Sequence, residues 1–313
     1  MKVKTIQKIL QSKFNSWVES ITDDNVKKLV QDHTIITGGC IPSMLLQEPV
    51  NDFDVYFENK KTALAVANYY VNEFRKINEH KFKDSGKSID IYVEDKDDRI
   101  KIYIKSAGIA GAAGENDYQY FESRPPEEGE DYIESIVKQV SEQDETIVND
   151  ATKDKYRPVF LSANAITLSD KIQIVIRFYG DAATIHQHYD YEHCTSFWLS
   201  STGKLHLNAN AMQALLTKEL VYIGSKYPIC SIIRTRKFIK RGWTINAGQY
   251  LKMCFQVSKL DLENLEVLED QLIGVDAAYF GQLINALKEQ KERDGGAFKF
   301  DYGYLATIID KIF

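Results

Sequence analysis

Four cysteines in 313 residues (Cys40, Cys194, Cys230 and Cys254) are too scattered for a disulfide frame, and no CxxC pair offers a zinc site. Reduced thiols, as in a cytoplasm, are the expectation. No apolar run reaches the roughly 18 residues of a membrane span. The basic opening MKVKTIQKILQSKF lacks the continuous apolar core of a signal peptide. No internal repeat and no recognisable RNA-binding module is present. Gly108, Gly111 and Gly114 are not followed by Gly-Lys-Ser/Thr, which excludes a P-loop and leaves a flexible connector. His186, His188, His193 and Cys194 do not make a zinc set either, because helical zinc pairs prefer i, i+4 spacing.

Hydrophobic residues at 44% and charged ones at 27%, with 18 Tyr and 15 Phe, suit a chain with a sizeable core. The length allows one large domain or two ordinary ones. The formal charge of −6 is unevenly spread. Between Glu115 and Asp154 stand thirteen acids against Arg124, Lys138 and Lys153, a local −10 that leaves +4 elsewhere. A polyanionic substrate is therefore compatible with the acidic total. The acidic stretch, about 105–156, is read as an insertion.

Helical spacing runs from Thr5 to Gln31 and again from Thr62 to Lys76. Thr34 to Thr37 and Phe53 to Phe57 read as strands, as do Ser88 to Val93 and Ile100 to Ile104. Phe160 to Leu168 and Lys171 to Arg177 form a hairpin turning at Ser169-Asp170, with one buried face. A helix from Asp181 to His188 leads into a strand from Tyr189 to Leu199. After Leu207 the spacing is helical, through Leu262, Leu265 and Leu268 to Ala278, Leu283 and Leu287. The expected fold class is α+β: a mixed sheet with flanking helices, plus a helical C-terminal part. The expected division is 1–203 and 204–313.

The most informative feature is Thr37-Gly38-Gly39 followed, after a short gap, by Asp52-Phe53-Asp54-Val55. Carboxylates at i and i+2 of a strand project from one face. So placed, they can share divalent ions roughly 3.5–4 Å apart, as phosphoryl transfer requires. The glycines let backbone approach phosphate closely. This pattern resembles the nucleotidyltransferase superfamily of DNA polymerase beta-like enzymes, and most of all nucleotidyltransferases of tailed phages. The resemblance covers Thr34 to Phe57 and, more loosely, Phe160 to Tyr250.

It implies a mixed sheet of nucleotidyltransferase type and two Mg²⁺ ions held by Asp52 and Asp54. Gly38, Gly39 and Ser43 would face a nucleoside triphosphate. A third carboxylate is implied on a neighbouring segment. Asp190, within Tyr189-Asp190-Tyr191, is the favoured candidate and Asp90 the alternative. The basic run from Arg234 to Trp243 places Arg234, Lys237 and Arg241 on one helix face, opposite Ile232 and Ile239. Lys237 and Arg241 are expected at the phosphates.

The implied reaction moves a nucleoside monophosphate onto an acceptor hydroxyl and releases pyrophosphate. An RNA 3′ end, such as that of transfer RNA, is the first choice of acceptor because the chain outside the insertion is net basic. A protein or small-molecule hydroxyl is the alternative acceptor. A fold that has lost catalysis and serves as an interaction protein is the non-enzyme alternative. In that alternative the acidic segment is the docking surface; independently, the −10 against +4 split makes it a candidate lid or internal polyanion mimic over the basic face.

Overall fold

Ile6, Leu10, Phe14 and Trp17 recur every three or four positions, and all four are buried on one face of helix α1 (Val3–Ser20). The computed structural model describes residues 1–84, 91–96, 99–104, 108–110, 155–262, 264, 267–268, 270–271 and 303. The helix expected over 5–31 is in fact two. Asp23 caps a second helix, α2 (Asp24–His33), its carboxylate accepting from the amides of Asn25 and Val26 at 2.9 and 3.0 Å. A cap satisfying the first amides of a new helix ends the old one.

Helix α2 runs directly into strand β1 (Thr34–Thr37), buried along its whole length. After Gly38 and Gly39 come helix α3 (Cys40–Leu46) and strand β2 (Phe53–Phe57), antiparallel to β1 with Thr37 opposite Asp54. Helix α4 (Lys60–Asp84) packs against α2, and Trp17 of α1 donates to the Tyr70 hydroxyl of α4 at 2.7 Å. Strands β3 (Tyr92–Asp95) and β4 (Ile100–Tyr103) pair as a small separate sheet. Part of the glycine-rich connector is a strand, β5 (Gly108–Ala110), hydrogen-bonded to β6 (Pro158–Ser162).

The strand expected over 160–168 is two, β6 and β7 (Ala165–Leu168), paired antiparallel to each other; only β7 makes the expected hairpin with β8 (Ile172–Tyr179). Asp170 and Lys171 at its turn have φ of 60° and 62°, the left-handed pair a tight hairpin turn requires. Helix α5 (Ala182–His186), capped by Asp181, precedes a 3₁₀ turn at Glu192–Cys194, β9 (Phe197–Leu199) and β10 (Lys204–His206). Only Phe197–Leu199 of the strand expected over 189–199 joins the sheet. Residues 190–192 pair elsewhere: Ile223 donates to the Asp190 carbonyl at 2.9 Å and Glu192 to that of Val221 at 3.0 Å. Helices α6 (Ala209–Thr217), α7 (Pro228–Lys240) and α8 (Ala247–Val257) follow.

The fold is thus α+β, with an eight-stranded mixed sheet in the order β10-β9-β1-β2-β8-β7-β6-β5. Strands β2 and β8 are parallel; their neighbours run antiparallel. Alternation along the central strands splits the core. Ile36, Val55, Phe57 and Ile174 join α1 and α4 in one cluster, while Ile35, Tyr56, Val175 and Phe178 face Tyr227 and Cys230 in another. Strand β8 is consequently covered on both faces where one was expected, and even Arg177 is buried, donating to the Tyr227 hydroxyl at 3.2 Å.

Asp90, the acidic segment from Glu115 to Asp154, and Ala278, Leu283 and Leu287 lie outside the described residues. Among the described residues no helix is long and apolar enough to cross a membrane.

Candidate active site

Period-two alternation puts Asp54 and Tyr56 on the sheet face that α7 covers, and Asp52, immediately ahead of β2, lines the same cavity. A cavity of about 230 Å³ opens there. Its wall includes Gly38, Gly39, Asp52, Asp54, Gln173, Asp190, Cys194 and Arg234. Gln173 reaches it because β8 runs parallel to β2 with Gln173 in register with Asp54.

The glycine turn is tightly held. Gly38 has φ +85°, and its amide donates to the Cys194 carbonyl at 3.3 Å. The Thr37 hydroxyl lies 2.9 Å from both the Ser196 carbonyl and Nε2 of His186. A Cβ on Gly38 would collide with the Asp54 carboxylate, whereas nothing lies within 4 Å of one on Gly39. Glycine at 38 is therefore needed for the turn and for clearance. The space beside Gly39 opens toward the cavity.

The charges of the aspartates register on their neighbours. Burial, then Asp54 and Asp52, hold the Cys40 thiol far above its ordinary range. Burial and then Asp54 push up the Tyr56 hydroxyl, with Arg234 opposing. Burial, Tyr56 and Asp54 raise Tyr189; burial, Asp190 and Asp54 raise Cys194. The aspartates thus stand beside hydroxyls and the Cys194 thiol that burial and their charge keep neutral. Two carboxylates lining one cavity suit Mg²⁺, which takes one or two carboxylates together with substrate phosphates. Among the described residues no group of three or more His, Cys, Asp or Glu side chains is arranged to hold a metal ion.

Asp190 is brought to the same cavity, 7% exposed, and its carboxylate meets the Arg234 guanidinium in an ion pair. Ser43, half-buried in α3, is not among the side chains lining the cavity. Neither are Lys237 and Arg241, although the charge of Arg241 reaches His193 and Cys194. Helix α7 does not anchor through Ile232 and Ile239, which are 41% and 46% exposed. Cys230, Ser231 and Thr235 are buried instead, because the Tyr191 hydroxyl binds the Ser231 carbonyl at 3.0 Å and Thr235 Oγ1 at 2.5 Å. That rotation brings Arg234 to the cavity.

The far wall is aromatic: Tyr56, Phe178, Tyr189 and Tyr227, with His188 stacked on Phe178 at 4.1 Å. Tyr56 was within reach of strand periodicity, two positions beyond Asp54. No local signal places Tyr227 or Gln173 beside it.

Residues 8–218 match the family model described as Gad2, Gabija anti-defense 2 family protein. The chain belongs to that family. In this Gad2 family member the matched span contains Gly38, Gly39, Asp52, Asp54 and Asp190 and ends before α7 and Arg234. No curated protein matches the chain.

Among solved structures the Gad2 chain is similar to the Thermotoga maritima CCA-adding enzyme complexed with tRNA. The TM-score is 0.42 at 10% identity, covering 97% of this chain and 58% of that one. It is also similar to a tRNA nucleotidyltransferase complexed with a primer tRNA and an incoming ATP analog. There the TM-score is 0.34 at 11% identity, covering 88% and 62%. A CCA-adding enzyme in apo form gives 0.38 at 12% identity, covering 95% and 55%. The chain spans less than two thirds of the length of these structures.

Proposed function

We propose that this Gad2 family member is a divalent-metal-dependent nucleotidyltransferase of the polymerase beta-like superfamily. One observation carries the reading: Asp52 and Asp54 face a cavity directly beside a left-handed Gly38 turn whose neighbour Gly39 leaves room for phosphate. On this reading residues 1–203 form the catalytic unit, and 204–313 complete the cleft through α7.

Asp52 and Asp54 would hold Mg²⁺, which supplies charge neutralisation for the triphosphate and a Lewis acid at the reacting phosphorus. The chain's own groups do the rest. The Gly38-Gly39 backbone admits the phosphates, and Arg234, with the more distant Lys237 and Arg241, offsets charge as pyrophosphate leaves. Asp190 is the third acid of the cavity. Two ions, as the superfamily resemblance implies, would need it or the nucleotide to supply further oxygens.

An RNA 3′ end remains the preferred acceptor, since the chain outside the acidic segment carries +4. A second reading draws on the family description. An anti-defense protein against Gabija gains most by modifying a Gabija component, so a protein hydroxyl is the competing acceptor.

The test is transfer of α-³²P label from each nucleoside triphosphate in the presence of Mg²⁺. Cellular RNA, purified Gabija proteins and no acceptor would be run side by side. Label on RNA supports the first reading and label on a Gabija protein the second. No label in any lane, with a chain that also fails to bind nucleotide, removes the enzyme assignment.

A further inference from the structure

We propose that Asp190 is a positioning residue that aims the Arg234 guanidinium at the phosphates of the nucleotide. The inference rests on the nucleotidyl-transfer reading and assigns within it a role that differs from metal ligation.

The two residues are 44 positions apart and meet where Asp190 lines the cavity beside Gly38 and Gly39. Arg234 Nη1 donates to Asp190 Oδ2, with the aspartate side chain 8% exposed and the arginine 27%. The carboxylate is thus buried and the guanidinium reaches the cavity edge. A guanidinium presents a planar fork of donors, so it can hold a carboxylate on one edge while another edge meets phosphate. A carboxylate engaged by a guanidinium is a poorer candidate for a metal's inner shell than one that is not.

The next residue fixes the same helix. Tyr191 binds the Ser231 carbonyl and the Thr235 hydroxyl, which bracket Arg234 on α7. Residues 190–192 are themselves stitched to 221–223 by backbone hydrogen bonds. Two adjacent side chains therefore set both the rotation of α7 and the aim of its one cavity-lining arginine among the described residues. Without Asp190 a partly buried guanidinium would lose a buried ion-pair partner and the direction it imposes.

The experiment uses the full chain and compares Asp190→Asn, Arg234→Ala, their double variant and Asp52→Asn. ATP, GTP, CTP and UTP affinities are measured by calorimetry, and metal affinity by Mn²⁺ paramagnetic resonance. Asp190→Asn and Arg234→Ala should each weaken triphosphate binding about tenfold, the scale of one charge-assisted hydrogen bond. The double variant should be no worse than either single one, since both break one unit. Mn²⁺ binding should fall in Asp52→Asn and hold in Asp190→Asn.

Loss of Mn²⁺ in Asp190→Asn as deep as in Asp52→Asn would make Asp190 a ligand and overturn the proposal, as would additive losses. Should Asp190→Asn fail to fold, Arg234→Lys against Arg234→Ala and Asp190→Glu makes the same comparison, with partial retention expected from lysine. A wild-type chain that binds no triphosphate sinks the parent reading as well. Normal wild-type binding with additive losses sinks this one alone.

Discussion

A Cβ added to Gly38 would stand 3.1 Å from Cγ of Asp54, across the ladder in which Thr37 pairs with Asp54. The glycine turn and the second aspartate are thus one steric unit, built from segments sixteen residues apart in the chain.

Gly38→Ala should displace the Asp54 carboxylate and strain a backbone at φ +85°. The expected cost is about 1–2 kcal/mol of stability, together with loss of nucleotide transfer. Gly39→Ala has open space for its methyl group. It should keep the melting temperature and weaken triphosphate binding through phosphate clearance alone. Thermal melts paired with calorimetry separate the two effects, and equal destabilisation by both changes would contradict the account.

Replacing Asp52 and Asp54 with Ala should abolish label transfer while the chain remains folded, because both side chains are only partly buried. Chelation with EDTA should do the same to the unaltered chain, and added Mg²⁺ should restore it. Circular dichroism checks the fold. Activity surviving the double replacement would remove the carboxylates from the mechanism.

Acid should destabilise the protein through His193. It is 2% exposed, packed on Trp243 and Phe238, and its Nδ1 has no hydrogen-bond partner. Burial first, then the charge of Arg241, brings its pKa down to about 3. The folded chain keeps this imidazole neutral, while the unfolded chain protonates it near its ordinary value of about 6.5. Stability is therefore intact above pH 6.5 and falls as pH drops from there toward about 3. The loss is on the order of 4 kcal/mol at the bottom of the window. Burial lowers His186 to about 4, which acts in the same direction. His193→Phe should flatten the slope of urea midpoint against pH; an unchanged slope would assign the acid sensitivity elsewhere.

Tyr70→Phe should cost about 1–3 kcal/mol by leaving the buried Trp17 indole N–H without its acceptor. Adding Trp17→Phe should cost less than the sum of the single changes, since the orphaned donor disappears with it. Urea titrations of the three variants give the coupling.

Much of this is written locally in the chain. Alternation across Phe53–Phe57 assigns Asp54 and Tyr56 to one face with no tertiary information, and the glycine pair announces a turn that other residues resist. The α+β architecture follows from such local periods. Periodicity is weaker where two periods compete. It merges α1 and α2, because Asp23 interrupts the helix without interrupting the apolar spacing.

Long-range partners are a different matter. The run from Arg234 to Arg241 places three cations on one helical face, and nothing in their spacing says which of them reaches the cavity. That choice belongs to Tyr191, whose hydroxyl draws Ser231 and Thr235 inward and leaves Ile232 and Ile239 outside. Asp190 likewise is a candidate site acid in the sequence, but nothing local shows that an arginine 44 residues away pairs with it. Local rules act through neighbours three or four residues along a helix or two along a strand. The pairing of Asp190 with Arg234 arises only when burial forces each charge to find its opposite.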